Sequence, residues 1–354
     1  MDPNSPIKGR GAQNNLTNRY SKLNYDEKEY QEYPEEDDMP HPQTKYLEVF
    51  PKTIVNAVKS PDIGAMYSMN PYEGCEHGCS YCYARNTHPY WGYSAGLDFE
   101  RVILVKKNAP QLLKQTISKK SWVCSPIMLS GNTDCYQPIE RKLEITREML
   151  KVLLEHKHPV GTISKNSLIQ RDIDILQEMA KLNLVHCTMS ITSLDEELRR
   201  KMEPRTASAK KRLETVAALT NAGIPVTVNI APIIPGLNDT EIFAIAKQSS
   251  EHGALGIGYT ILRLPGEVEQ VFTNWLDQHF PMKKDKILHQ TISVHGGSVQ
   301  DPKWGRRMRG EGNFADSIRQ QIHLARNKFD LNKDIPELNC DLFDPMTGGQ
   351  LSMF

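Results

Sequence analysis

Short apolar runs rich in β-branched residues alternate with stretches of helical periodicity through the middle of this chain, and that alternation admits few folds. The runs are AMYSMNPY (65–72), RVILVK (101–106), PIMLSG (126–131), PVGTIS (159–164), LVHCTMSI (184–191), IPVTVNIAPI (224–233) and LGIGYTIL (255–262). Helical stretches between them are expected near 108–119, 140–156, 195–202 and 208–222, and from Asp239 to about Ser250. Another carries Ile169, Ile173, Leu176 and Ala180, and the 140–156 stretch has Ile145, Met149, Val152 and Leu153 on one stripe. Continuous apolar strands separated by amphipathic helices predict a parallel sheet covered by helices. Such a sheet either closes toward a barrel or stays open and doubly wound.

Both architectures gather ligands at the carboxyl ends of the strands, and the polar residues of this chain sit there. NPYEGC follows the first strand, GNTDCYQP follows PIMLS, KNS follows GTIS, and PIIPGLND follows VTVNIA. Beyond about residue 265 the alternation stops, which predicts a mainly helical extension (266–354) on or over the main domain (46–265). Residues 1–45 are polar and rich in Asn, Pro, Glu and Asp, and are expected to form a disordered tail. With 43 basic and 43 acidic residues the net charge is zero, so whole-molecule attraction to nucleic acid is not indicated. The sequence shows no secretory leader and no apolar run long enough to span a membrane, which points to the cytoplasm.

Three of the seven cysteines, Cys75, Cys79 and Cys82, fall within NPYEGCEHGCSYCYARNTHPYWG (70–92). In a reducing compartment such a group reads as metal-binding or catalytic. Gly74 and Gly78 let the backbone turn tightly beside its own ligands. A tetrahedral zinc site would need His77 or His88 as fourth ligand. A ferredoxin-type cluster would need a fourth cysteine, and none is near. A four-iron cluster on three cysteines would leave one iron open, as catalytic metal sites do.

The pattern C-x3-C-x-aromatic-C at the end of a first strand, followed by alternating strands and helices, resembles the radical S-adenosylmethionine superfamily. TDCYQPIE, SKNSLIQRDIDIL, SITSLDEELRRKMEPRTAS and AGIPVTVNIAPIIPGLND are similar to the branch containing spore photoproduct lyase and DNA repair photolyase-like proteins. The resemblance implies an α/β fold, a partial (β/α)6 TIM-type barrel. It implies a 4Fe-4S cluster on Cys75, Cys79 and Cys82, and S-adenosylmethionine cleaved reductively to a 5′-deoxyadenosyl radical. Tyr81 would lie near the adenine, and Lys165 and Ser190 would hold the S-adenosylmethionine, with Thr133 as a further polar contact. A reduced flavodoxin or ferredoxin would be the electron donor, and a nucleic-acid lesion the substrate. Spore photoproduct lyase carries a hydrogen-donating cysteine near the end of the strand that here reads PIMLSGNTD. Gly131 falls close to that place, which leaves Cys135, a little downstream, as the candidate donor.

Asn229 lies inside an apolar strand, where an amide needs a partner, and is a candidate for ligand contact. Asp134 is expected to form a turn, Glu140 to open a helix, and Arg205 to pair with Glu203 or a nearby acid. KKR (210–212) reads as the exposed side of a helix start. KWGRRMRG (303–310) sets four cations around Trp304, a composition that suits nucleic acid. The competing reading is a zinc-stabilised nucleic-acid-binding module without catalysis.

Overall fold

The computed structural model describes residues 7, 9–17, 44–62, 64 and 66–345. In chain order its strands are β1 (Lys45–Glu48), β2 (Val55–Ala57), β3 (Tyr67–Met69), β4 (Tyr72–Glu73), β5 (Val102–Val105), β6 (Ile127–Leu129), β7 (Val160–Ser164), β8 (Val185–Ser190), β9 (Val226–Ile233) and β10 (Gly256–Ile261). β3, β6, β7, β8, β9 and β10 pair in parallel in that spatial order, and β2 runs antiparallel along the free edge of β3. Each parallel step requires a crossover, and helices supply it. This is the expected partial (β/α)6 barrel.

One run departs from the expectation. RVILVK does not enter the barrel sheet: β5 pairs in parallel with β1 and antiparallel with β4 in a separate three-stranded sheet. All four of its residues are buried, so its apolar pattern would suit either sheet. The helix expected over 140–156 is broken at Glu144, where φ is 52°, into Glu140–Leu143 and Ile145–Glu155. The buried Glu140 carboxylate folds back to accept the Thr146 N–H at 3.0 and 3.1 Å, so it caps the second helix.

The strand pleat separates two faces. Val160 and Thr162 on β7, Val185, Cys187 and Met189 on β8, and Val226, Val228 and Ile230 on β9 are buried. The apolar residues among them join the main core with Leu150, Leu153, Leu176, Met179, Val216, Leu219 and Ile245 of the covering helices. Gly161, Ile163, Thr188, Thr227, Asn229, Gly258 and Thr260 are half-buried and line the other, concave face. This face is small and hydroxyl-bearing, and Thr188 and Thr227 meet across it at 3.0 Å.

After β10 come the helices Val268–His279, Lys284–Val294 and Asn313–Lys328. The first packs Val268, Phe272 and Trp275 against Cys79, Tyr81, Leu198 and Met202, so it buttresses the cysteine loop. The last adds Ala315, Ile318, Ile322 and Ala325 to the main core. KWGRRMRG fastens this extension to the barrel. Arg306 pairs with Asp301 and Glu311, Arg307 with Asp62, and Arg309 stacks on Tyr259. Three of the four cations expected to face nucleic acid are thus engaged within the chain. Part of the N-terminal segment also differs from the expected tail. Arg10, Gly11 and Ala12 are buried, whereas residues 18–43 lie outside the described residues.

Candidate active site

The loop after β3 carries Cys75, Cys79 and Cys82, all free thiols, the first two buried and the third half-buried. Gly74 and Gly78 take φ of 78° and 66°, the left-handed turns that a side chain would strain. Backbone bonds anchor the loop on several sides: Cys75 N–H to Phe99 O at 2.9 Å, Ser80 N–H to Met202 O at 3.0 Å, and Arg205 N–H to His77 O at 3.3 Å. Burial pushes all three thiols up in pKa, and for Cys75 the neighbouring Asp134 and the other two cysteines push further. Lys165 opposes this at Cys79 and Cys82. Three thiols, two buried and one half-buried, beside a cation are a donor set that a positively charged metal centre would discharge to thiolates.

Tyr81 and Lys165 meet beside these thiols. The Lys165 ammonium lies 5.9 Å from the centroid of the Tyr81 ring. The Tyr81 hydroxyl donates to Glu203, which also accepts from Thr192 Oγ1 at 2.7 Å and from Arg212 Nη2 at 2.5 Å. Arg212 Nη1 reaches on to the Ser190 carbonyl at 2.9 Å. Burial alone would raise the Glu203 pKa, but the charges of Arg212 and Lys165 and the hydroxyl bonds bring it down to about 2. Lys165 is desolvated, which alone would lower its pKa, yet Cys79 and Glu203 hold it above the ordinary lysine value. Ser190 and Asn229 are register partners on β8 and β9. Gly258, the partner of Asn229 on β10, leaves room for the amide, because a Cβ there would stand 3.1 Å from Asn229 Oδ1.

A second polar group ties the ends of β6 and β7 to the cysteine loop. Asp134 accepts from Tyr136 N–H at 2.9 Å, Ser164 Oγ at 2.9 Å and Lys165 N–H at 2.8 Å, and His77 Nδ1 stands 3.3 Å away. Burial would raise its pKa, but His77 and these N–H donors bring it down to about 2. Asn166 Nδ2 meets the other His77 nitrogen at 3.1 Å.

The superfamily profile described as "Radical SAM superfamily" matches residues 69–248. The chain belongs to the radical SAM superfamily. A 4Fe-4S cluster and S-adenosylmethionine are the cofactors of that superfamily and of this chain. An uncharacterized protein of Mycobacterium tuberculosis (strain ATCC 25618 / H37Rv) is 31% identical over 241 residues, 67% of this chain and 70% of that protein. An uncharacterized protein of Methanocaldococcus jannaschii is 28% identical over 69% of this chain and 87% of its own length. A radical SAM Nalpha-GlyT isomerase of Pseudomonas phage M6 is 25% identical over 47% of this chain and 33% of its own length. In fold, the chain is similar to spore photoproduct lyase complexed with dinucleoside spore photoproduct, with a TM-score of 0.59 and 17% identity over 81% of this chain and 80% of that one.

In this radical SAM chain the structure gathers Tyr81, Lys165, Ser190 and Asn229 with the three cysteines at one end of the barrel. It does not bring Cys135 to them. Cys135 is fully buried in the main core, 4.0 Å from Thr162 Oγ1 on the helix-covered face of β7, and its backbone is held by Ser130 and Thr146. Thr133 donates its hydroxyl to the Tyr72 carbonyl at 2.5 Å, a bond that fastens the loop after β6. His88, a candidate zinc ligand, is buried between Tyr93 and Phe99, and burial holds its pKa down to about 4. Among the described residues no three His, Cys, Asp or Glu side chains converge closely enough to hold a single metal ion. No described helix is long and apolar enough to cross a membrane.

Sequence reasoning missed Arg212 and undervalued Glu203, Asp134 and His77. KKR was read as a solvated face, yet Arg212 is 1% exposed, while Lys210 is exposed as expected. Arg205, expected to pair with Glu203 or another acid, stands 3.5 Å from Glu76. Four residues after Ser208, which caps the helix Ala209–Asn221, an arginine at the buried edge of the stripe was a faint signal of an inward charge. Only its buried partner Glu203, nine residues upstream, gives it meaning.

Proposed function

We propose that this enzyme holds its cluster on Cys75, Cys79 and Cys82 and its S-adenosylmethionine among Tyr81, Lys165, Ser190 and Asn229. When bound, the cluster supplies the electron that cleaves S-adenosylmethionine to a 5′-deoxyadenosyl radical. The convergence of three free thiols with the Lys165 ammonium at the strand ends carries this reading. Lys165 offers charge to the ligand's carboxylate, and the hydroxyl of Ser190 and the amide of Asn229 suit a ribose or amino group. Glu203 and Arg212 fix the Tyr81 ring and the end of β8, so that the pocket wall is set before any ligand arrives.

A nucleic-acid lesion is the substrate class we put first, because structures of similar fold carry dinucleoside spore photoproduct. A lyase reaction is proposed from the same similarity, and a reduced flavodoxin or ferredoxin is proposed as the reductant that a radical SAM enzyme needs. Cys135 has no part in this reading. Anaerobic reconstitution should give about four iron and four sulfide per chain. Dithionite should then convert S-adenosylmethionine to 5′-deoxyadenosine. A fully loaded protein that leaves S-adenosylmethionine intact would end the proposal.

A further inference from the structure

The described N-terminal residues reach the cysteine loop from outside the barrel. Gly11 and Ala12 donate their N–H groups to the two carboxylate oxygens of Glu100 at 3.1 and 2.8 Å, and Arg10 Nη1 donates to the Glu100 carbonyl at 2.7 Å. The same carboxylate accepts Arg85 Nη2 at 2.5 Å. Arg85 in turn gives Nε and Nη2 to the Cys79 carbonyl at 3.0 and 2.9 Å. Arg85 and Glu100 are both fully buried. Two side chains therefore connect the strap to the middle cysteine.

The steric contact is as direct. Gly11 lies so close on the Gly78 peptide that a Cβ would stand 1.7 Å from the Gly78 oxygen. Backbone cannot yield there as a flexible side chain would. The strap continues along residues 94–98 with Leu97 N–H to Asn14 O at 3.2 Å, Leu16 N–H to Ser94 Oγ at 2.6 Å and Asn15 Nδ2 to Asp98 at 2.6 Å. Its apolar contact is slight, Ala12 with Leu97 and Val271, flanked by Ile7 and Leu16. Position, more than hydrophobic burial, is what this docking secures: N–H donors aimed at a buried carboxylate and a glycine pressed on a carbonyl.

We infer that residues 10–12 are a positioning element of the metal-binding loop, holding the Cys79 carbonyl through Glu100 and Arg85, pressing on the Gly78 carbonyl, and shutting the loop's outer side to water. This rests on Cys79 being a cluster ligand. Hydrogen bonds and solvent exposure around ligand sulfurs tune a cluster's potential and its hold on iron.

The test uses the full chain, anaerobically reconstituted, as wild type, Gly11→Ala and Arg10→Ala. Both variants should fold by circular dichroism, lose iron to a chelator roughly tenfold faster than wild type, and shift the electron paramagnetic resonance spectrum of the reduced cluster. Folded variants that match loaded wild type in chelation rate and spectrum overturn the inference. Arg10→Ala adds no volume, so it decides the matter if Gly11→Ala does not fold. If neither folds, the strap is a general folding element and the inference is likewise overturned. A wild type that takes up no cluster defeats the cofactor assignment instead, which keeps the two failures distinct.

Discussion

The Glu203 carboxylate and the Arg212 guanidinium meet at 2.5 Å with their side chains 0% and 1% exposed. Neither charge has water to fall back on, and each has further partners: Tyr81 and Thr192 on the acid, Ser190 and Thr206 on the base. Breaking such a pair from one side strands the other charge. We expect Arg212→Met to destabilise the fold by about 3–5 kcal/mol, read by denaturant unfolding. A variant within about 1 kcal/mol of wild type would show that Glu203 is readily protonated or hydrated.

The depressed pKa of Glu203, about 2 against an ordinary 4.5, also sets a pH dependence. A group held below its unfolded value stabilises the native state above that unfolded value, and the contribution is lost as pH falls through the folded one. Asp134, about 2 against 3.8, acts in the same window and direction. Stability should therefore decline between about pH 4.5 and pH 2. Glu203→Gln should be less stable than wild type at neutral pH and should show a shallower acid decline in the same melts.

Lys165→Met should leave iron content unchanged and weaken S-adenosylmethionine binding by roughly ten- to a hundredfold, the worth of one charge-assisted hydrogen bond. Equilibrium dialysis of loaded protein measures this directly. Unchanged affinity would remove Lys165 from the pocket.

Alanine at Cys75, Cys79 or Cys82 should each abolish stable cluster binding, seen as loss of bound iron and of brown colour after desalting. Cys135→Ala should keep both the iron and the yield of 5′-deoxyadenosine, since its thiol lies in the helix-covered core. Loss of 5′-deoxyadenosine formation in a fully loaded Cys135→Ala protein would restore that residue to the site.

In the outer layer, Leu153 is fully buried between helix and sheet. Leu153→Ala should cost about 2–5 kcal/mol by chemical denaturation, with cluster content unchanged in the protein that remains folded.

The alternation of apolar strands and amphipathic helices determined a parallel sheet covered by helices, because an apolar strand joined to the next by a helical crossover has few other places to go; closure toward a barrel was implied only by the resemblance. The spacing of Cys75, Cys79 and Cys82 after the first strand was equally local, and so were the polar residues at the strand ends that supplied Lys165 and Ser190. What the sequence could not carry was pairing at a distance. Val102–Val105 has the same apolar pattern whichever sheet takes it in, and only tertiary structure placed it beside β1 and β4. Cys135 looked close to the site along the chain, yet the turns after β6, held by Ser130 and Thr146, directed it into the core. Arg212 looked like one more surface cation until Glu203 closed over it. The docking of Gly11 on Gly78 joins residues 67 positions apart through a backbone contact that leaves no periodicity to read. Strand and helix patterns are written in neighbouring residues; the partners of buried charges and bare peptides are chosen only when the chain folds.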